Sequence, residues 1–438
     1  MKRFVCTLAI LVIASVAAAQ TGRTVPSAFS VAQVDAVYPE VEALYIDLHR
    51  NPELGFQEKR SAAKLAERMR TLGYEVTAGV GGTGVVAVLK NGPGPTVMLR
   101  ADMDALPIQE KTGLPFASTV TVKGDSGNTI PVMHACGHDT HMAAWIGTAN
   151  LMAANRQRWH GTLIMIGQPA EEIVQGAAAM LKDGLFTRFP KPDFALALHD
   201  TGQVATGQIG FHSGYYMSSS DSVYITVFGR GGHGAKPQST VDPIVIAART
   251  VLALQTIVSR ENDPMEMAVI TVGSIHGGTK NNIIPDEVKL ELTVRSFNPR
   301  VRKHLLAAIE RVAKAESLAG AAPREPLVKV EPGTDALYNN PELTKREVAV
   351  LRQALGSQNV IEIPANTASE DFSEYGTAGV PSLMLHFGAA NPAKLAASQQ
   401  NGTPLPQTHS ALWAPEPESL KTAIMAETAM LLDLLGGK

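Results

Sequence analysis

Residues 133–141 read MHACGHDTH and bring His134, Cys136, His138 and His141 into one short stretch. Cys136 and His138 can offer a thiolate and an imidazole from a single turn. That pairing suits a borderline transition ion such as zinc, while nearby carboxylates let manganese or cobalt compete. The chain has 2 cysteines. The other, Cys6, lies in an N-terminal stretch that reads as a removable signal. Cys136 is then left without a disulfide partner. A lone thiol in an oxidising compartment is a liability unless it is buried, paired between chains or bound to metal. A buried inert thiol accounts for Cys136 alone, but it leaves the surrounding histidines without a purpose.

Three apolar runs end in groups of the same kind. Asp102 and Asp104 follow TVMLRA, Glu171 and Glu172 follow TLIMIGQPA, and His199 with Asp200 closes DFALALHD. Open α/β sheets form sites at the carboxyl ends of their strands. The three runs therefore deliver carboxylate and imidazole groups to one edge. A dinuclear site needs about three ligands per ion, with one or two groups bridging. His199 and Glu172 extend the set begun by Cys136 and His138. Asp104, on the turn after its strand, is better placed to orient an imidazole than to bind metal. Glu171 and Glu172 are adjacent and repel each other unless a cation intervenes. One can hold metal while the other acts as general base, moving a proton from water to a leaving amine. Without metal, the pair reads as a solvated start to the helix QGAAAMLKDG, where the helix dipole favours acids.

The elements that must position these groups are legible as patterns. Residues 58–72 repeat apolar positions at helical spacing and stop at Gly73. Short apolar runs follow at 85–90, 96–104, 162–172 and 193–200, as expected of buried parallel strands in an α/β sheet. From about 219 to 332 the order changes to β-α-β-β-α-β, the ferredoxin-like order. The expected division is a signal at 1–19, a catalytic domain at 20–218 and 333–438, and an inserted domain at 219–332. A helix at 341–356 and a strand at 381–387 resume the first pattern.

Lys2 and Arg3, the apolar run Phe4–Val16 and the small residues Ala17–Ala19 fit a secretory signal, with a retained anchor as the plainer alternative. No later apolar run approaches the roughly 20 residues a bilayer requires. The expectation is an exported, secreted or periplasmic protein. A net charge of −3 over 438 residues argues neither for nucleic acid nor for an anionic membrane as a partner, and none is expected.

These strings together resemble the aminoacylase/carboxypeptidase family of dinuclear metallohydrolases. The similarity is greatest to its amidohydrolase branch, which includes hippurate hydrolase, indole-3-acetyl-amino-acid hydrolase and N-acetyldiaminopimelate deacetylase. It runs through LHRNPELGFQE, RADMDALP, MHACGHDTH, QPAEE, GRGGHGAKP, NNIIPDEV, TVR and SEDFSEY, in order, over nearly the whole mature chain. The resemblance implies a hydrolase-like catalytic domain with a mostly parallel central sheet, interrupted by a ferredoxin-like lid that also dimerises. It implies two divalent ions (zinc, manganese or cobalt) held by Cys136, His138, Glu172, His199 and a C-terminal histidine, with Glu171 as base. His233 would reach a substrate site, often the partner chain's, and Asn282 and Arg295 would help hold the substrate carboxylate. GRGGHGAKP alone is also a plain glycine-rich turn. For the C-terminal ligand, His409 on a loop is preferred, and His386 is expected to serve strand packing. His134 and His141 are expected to support or cap rather than ligate. HDTGQVATG and Thr140 depart from the family pattern near the expected pocket.

The resulting expectation is hydrolysis of N-acyl amino acids or related amides. A carboxypeptidase or dipeptidase using the same site stands second. Two rivals of other kinds are a thiol hydrolase with Cys136 as nucleophile and a non-catalytic solute-binding protein.

Overall fold

The computed structural model describes residues 29–436 apart from Asp125. The expected signal at 1–19 lies outside the described residues.

An eight-stranded sheet carries the site. Its spatial order is Glu75–Val80, Gly84–Asn91, Gly161–Gln168, Thr96–Asp102, Phe194–Ala205, Ser382–Ala390, Ile209–Phe211 and Val360–Glu362. The central four, from Gly161–Gln168 to Ser382–Ala390, run parallel to one another. Their residues are almost all buried, as a parallel sheet covered on both faces demands. VVAVLK departs from expectation, because Gly84–Asn91 is antiparallel to both its neighbours. The turn joining it to Glu75–Val80 is too short for the crossover that a parallel pair needs. DFALALHD also runs on past Asp200, to Ala205.

The helix His138–Ala154 is buried on nearly every face. It packs between the sheet and the helices Val31–Arg50 and Ser419–Leu435. A helix apolar all round belongs in a core, so this one is a rigid mount for the groups at its start.

Ser419–Leu435 also buries Glu427 beside Thr148, whose hydroxyl donates to Oε2 at 2.5 Å. Burial pushes the Glu427 carboxyl up from 4.5 to about 8, against the opposing pull of Thr148 and His141. The folded chain thus keeps a proton that the unfolded chain releases above about pH 4.5. The unfolded state binds fewer protons in that window, so stability falls as pH rises. This group should cost up to about 1.4 kcal/mol per pH unit between its two pKa values. Urea unfolding near pH 5 and near pH 8 should show a flatter decline for Glu427→Gln than for the wild type; identical slopes would reject the assignment.

Residues 221–332 build a separate antiparallel sheet, ordered Ala268–Gly277, Glu287–Ser296, Asp221–Phe228 and Leu327–Pro332. Pro243–Thr256 and Pro299–Ala319 pack on one face of it. Along Glu287–Ser296 burial alternates, so Val288, Leu290, Leu292 and Val294 face the helices while the other face meets solvent. The connectivity is the ferredoxin-like β-α-β-β-α-β. One stretch here corrects the sequence reading. By length and composition, Pro243–Glu261 is apolar enough to cross a bilayer. Its inner residues Ile246, Ala247, Leu254 and Ile257 pack on this sheet.

Candidate active site and metal centre

The parallel register sets four groups level with one another. Gln168 pairs with Asp102. Arg100 pairs with Ala197, which brings His199 level with Asp102, and His386 pairs with His199. Side chains alternate along a strand, so this register decides which of them meet.

The turn before His138–Ala154 lies against this row. Gly137 has φ +77°, and a Cβ there would sit 2.1 Å from Asp200 Oδ2. Only glycine gives both that backbone and that space. Asp200 is held in place by Trp413, whose Nε1 donates to Oδ2 at 3.1 Å. Asp200 in turn orients His199. The His199 Nδ1 lies 2.7 Å from the Asp200 carbonyl oxygen and 3.1 Å from Oδ1. This leaves Nε2 facing Cys136 Sγ at 3.4 Å. Ligating imidazoles are commonly fixed this way through their other nitrogen.

Glu171 and Glu172 sit in a tight turn bracketed by Ala170 at φ +52° and Val174 at φ +49°. Positive φ is strained for a β-branched residue and persists only where neighbours enforce it. Asp104 supplies that constraint. Its Oδ1 and Oδ2 accept the backbone N–H of Glu171 and Glu172, each at 3.0 Å. Glu58 Oε1 accepts the N–H of Ala170 at 2.8 Å. The pair does not open a helix, since the next one starts at Gly176. Asp104 Oδ1 also lies 3.5 Å from His138 Nδ1.

The donor atoms converge. Cys136, His138 and Glu172 each place a ligand atom within 4.8 Å of the others, and Asp102, His138, His141 and His199 do the same. Both ring nitrogens of His138 and Glu172 Oε1 are buried without a hydrogen-bond partner. Buried polar atoms are rarely left this way. A divalent cation would satisfy Glu172 Oε1 and His138 Nε2, which lie 3.9 Å apart, and the thiolate, imidazole and carboxylate set fits one. Glu171 Oε2 lies 4.0 Å from His138 Nε2. His409 sits at the rim, its Nε2 3.4 Å from Glu172 Oε2. Its backbone, at φ +68°, is tied by its N–H to the Ala135 carbonyl at 2.6 Å.

Charge is crowded here. Burial, then the charges of Glu370, Glu172 and Asp371, pushes Glu171 well above the usual carboxylate range. Burial likewise pushes the Cys136 thiol up, with Glu172 adding to it. Asp102 behaves oppositely: burial opposes its ionisation, but Arg100, His138 and His141 hold it well below the usual range.

Arg100 and the pairing of His49 escape the sequence reading, whereas His141 and His134 are the two residues expected to support or cap. Arg100 is buried and binds Asp102 at 2.5 Å, Glu370 at 2.7 Å, Asp371 at 3.2 Å and Gln168 at 3.1 Å. The signal was an arginine inside the apolar run TVMLRADMD, since an arginine buried there must find carboxylates. His49 pairs with Asp139 at 2.6 Å and Glu110 at 3.1 Å, tying Val31–Arg50 to the start of His138–Ala154. Burial opposes its charge, but those two acids raise its pKa to about 10. His141 Nδ1 lies 2.6 Å from Asp102 Oδ1. His134 is buried with neither nitrogen bonded.

A cleft of about 630 Å³ opens over the centre, its lining including Cys136, Glu171, Glu172, His199, Arg295 and His409. Arg295 reaches it from Glu287–Ser296, with Nη1 donating to the Thr367 carbonyl at 2.9 Å. His386 is buried, yet it also lines the cleft, so its surroundings are not those of strand packing alone. His233 and Asn282 are not brought to the cleft. Both are exposed beside the ribbon pairing Gly232–His233 with Ile283–Ile284.

The sheet, the donor set and the cleft above them fit a metal-dependent hydrolase. The family model described as peptidase family M20/M25/M40 matches residues 98–407, and the chain belongs to that family. A hippurate hydrolase from Campylobacter jejuni is 38% identical over 335 residues, spanning 76% of this chain and 84% of its own. Thermostable carboxypeptidase 2 from Saccharolobus solfataricus is 36% identical over 352 residues, spanning 79% and 85%. The crystal structure of a dinuclear metal-binding M20 peptidase from Bacillus subtilis superposes with a TM-score of 0.74 at 29% identity, covering 92% of this chain and 99% of that one.

Proposed function

We propose that this chain is an exported dinuclear amidohydrolase that splits N-acyl amino acids into a carboxylic acid and an amino acid. The observation that carries the reading is the buried, unpartnered donor set of His138 and Glu172 beside Cys136. Cys136, His138, Glu172, His199 and His409 would hold two divalent ions (zinc, manganese or cobalt). Such ions supply Lewis acidity toward a carbonyl and lower the pKa of water. Glu171 accepts a proton from the attacking water as the new C–O bond forms. It returns that proton to the amide nitrogen as the C–N bond breaks, so the amine leaves neutral. Arg295 offers its guanidinium to the substrate carboxylate. The hippurate hydrolase relative supports an N-acyl amino acid. The carboxypeptidase relative keeps a peptide substrate as the second reading. Export rests on Lys2, Arg3 and the apolar run that follows them.

Elemental analysis of freshly purified protein, beside hydrolysis of an N-acyl amino acid panel before and after chelation, tests the reading. About two transition ions per chain are expected, with chelation abolishing turnover and added zinc, manganese or cobalt restoring it. A chain without metal, indifferent to chelator, would be overturned as a metallohydrolase and would return Cys136 as nucleophile.

We also infer self-association through residues 221–332. Support comes from His233 and Asn282, exposed away from this chain's own cleft, and from Leu252 and Ile275, exposed on the same domain. Light scattering should give at least twice the single-chain mass; a single-chain mass at micromolar concentration would sink the idea.

A further inference from the structure

The cleft holds a polar pair that the mechanism above does not use. Tyr216 and His386 both line it, near His199. The Tyr216 hydroxyl is hydrogen-bonded to His386 Nδ1. Tyr216 is fully buried, and among the described residues that nitrogen is its hydroxyl's one hydrogen-bond partner. A buried hydroxyl proton left without an acceptor is costly. The phenol therefore donates, Nδ1 accepts, and the ring proton resides on Nε2. No hydrogen bond to the described residues engages Nε2, and it is not sealed in the core. The chain thus offers the cleft an N–H donor of its own. His386 is level with His199 on the neighbouring strand, with ring centres 5.5 Å apart. The hydroxyl of Thr201 and the amides of Gln203 and Gln407 belong to the same lining.

We infer that His386, fixed by Tyr216, contacts substrate and selects N-acyl amino acids whose acyl group carries a hydrogen-bond acceptor beside the scissile carbonyl. An α-hydroxyacyl group is the simplest member of that class. The inference rests on the amidohydrolase reading. A carbonyl brought to His199 lies about one strand spacing, ~4.8 Å, from the strand that bears His386. An acceptor on the α-carbon takes the Nε2–H. A methyl group in its place leaves that donor desolvated and unpaired, which is how a hydrogen-bonding site rejects an apolar analogue.

The test compares kcat/KM for N-glycolyl and N-propionyl derivatives of one amino acid, near-isosteric acyl groups, on metal-loaded protein. The wild type should favour glycolyl by at least about tenfold. His386→Leu should reduce that ratio about tenfold, and Tyr216→Phe should reduce it less. In ¹⁵N spectra His386 should show an unprotonated Nδ1, and Tyr216→Phe should change its tautomer balance. Equal efficiency on both substrates, or an unchanged ratio in His386→Leu, overturns this inference alone. So does a protonated Nδ1 in the wild type. No turnover on either substrate overturns the amidohydrolase reading and this inference with it.

Discussion

Glu171→Gln should keep about two metal ions per chain and lose about 100- to 10,000-fold in kcat, the usual contribution of a positioned general base. The substitution is near-isosteric. The backbone N–H of residue 171 would still be held by Asp104, and the strained turn from Ala170 to Val174 would keep its other anchor at Glu58. What changes is that an amide oxygen cannot take the proton from water. Metal analysis and steady-state kinetics on one preparation separate the outcomes. Unchanged turnover of an active preparation would remove Glu171 as base. Loss of metal together with activity would make it a ligand. Bound metal with ligand capture but no turnover in the wild type would favour the solute-binding rival.

The second large effect concerns stability. Arg100→Leu should cost about 3–5 kcal/mol, because it leaves buried carboxylates without their cation. Asp102, Glu370 and Asp371 all meet this one guanidinium, and Gln168 takes its Nε–H. Asp371 already has its pKa pushed up to about 8, by burial first and by Glu370, with Arg100 as the leading opposing influence. Arg100→Lys keeps the charge but loses the planar fork, so it should fall between leucine and wild type. It also remains measurable if the leucine variant does not fold. Urea unfolding of the chelated and metal-loaded forms provides the reading. A leucine variant within about 1 kcal/mol of wild type would show that the network is not held by its arginine.

The contrast between Arg100 and Cys136 shows what could be read from sequence. Cys136 and His138 stood out as a thiol and an imidazole in one short motif, and Glu172 and His199 because their motifs close strand-like runs. The structure gathers them, since those two runs flank Thr96–Asp102 as parallel strands and the turn before His138–Ala154 lies against that row. Arg100 and Glu370 were visible as letters in quoted motifs, but their meeting joins positions 270 residues apart. No local pattern states that such a pair will meet. Gly84–Asn91 was recognised as a strand and misread in direction, because direction follows from the connecting turn rather than from the run itself. The buried helices His138–Ala154 and Ser419–Leu435 escaped notice because helices apolar on every side show no amphipathic period. The tyrosine beside His386 was likewise out of reach, since Tyr216 and His386 are 170 positions apart.

The row formed by Gln168, Asp102, His199 and His386 has a further consequence, for how the protein can change over time. Its spacing is kept by backbone pairing, and side-chain choice cannot restore that pairing once it slips. One residue inserted within any of those strands would move every later side chain by about 3.3 Å and turn it to the opposite face. One residue inserted in a connecting loop moves none of them. Sequence drift and length variation are therefore channelled into the loops over the cleft. These loops supply part of the cleft lining, including Pro364, Thr367 and Gln407, so new specificities can arise while the reaction centre keeps its geometry.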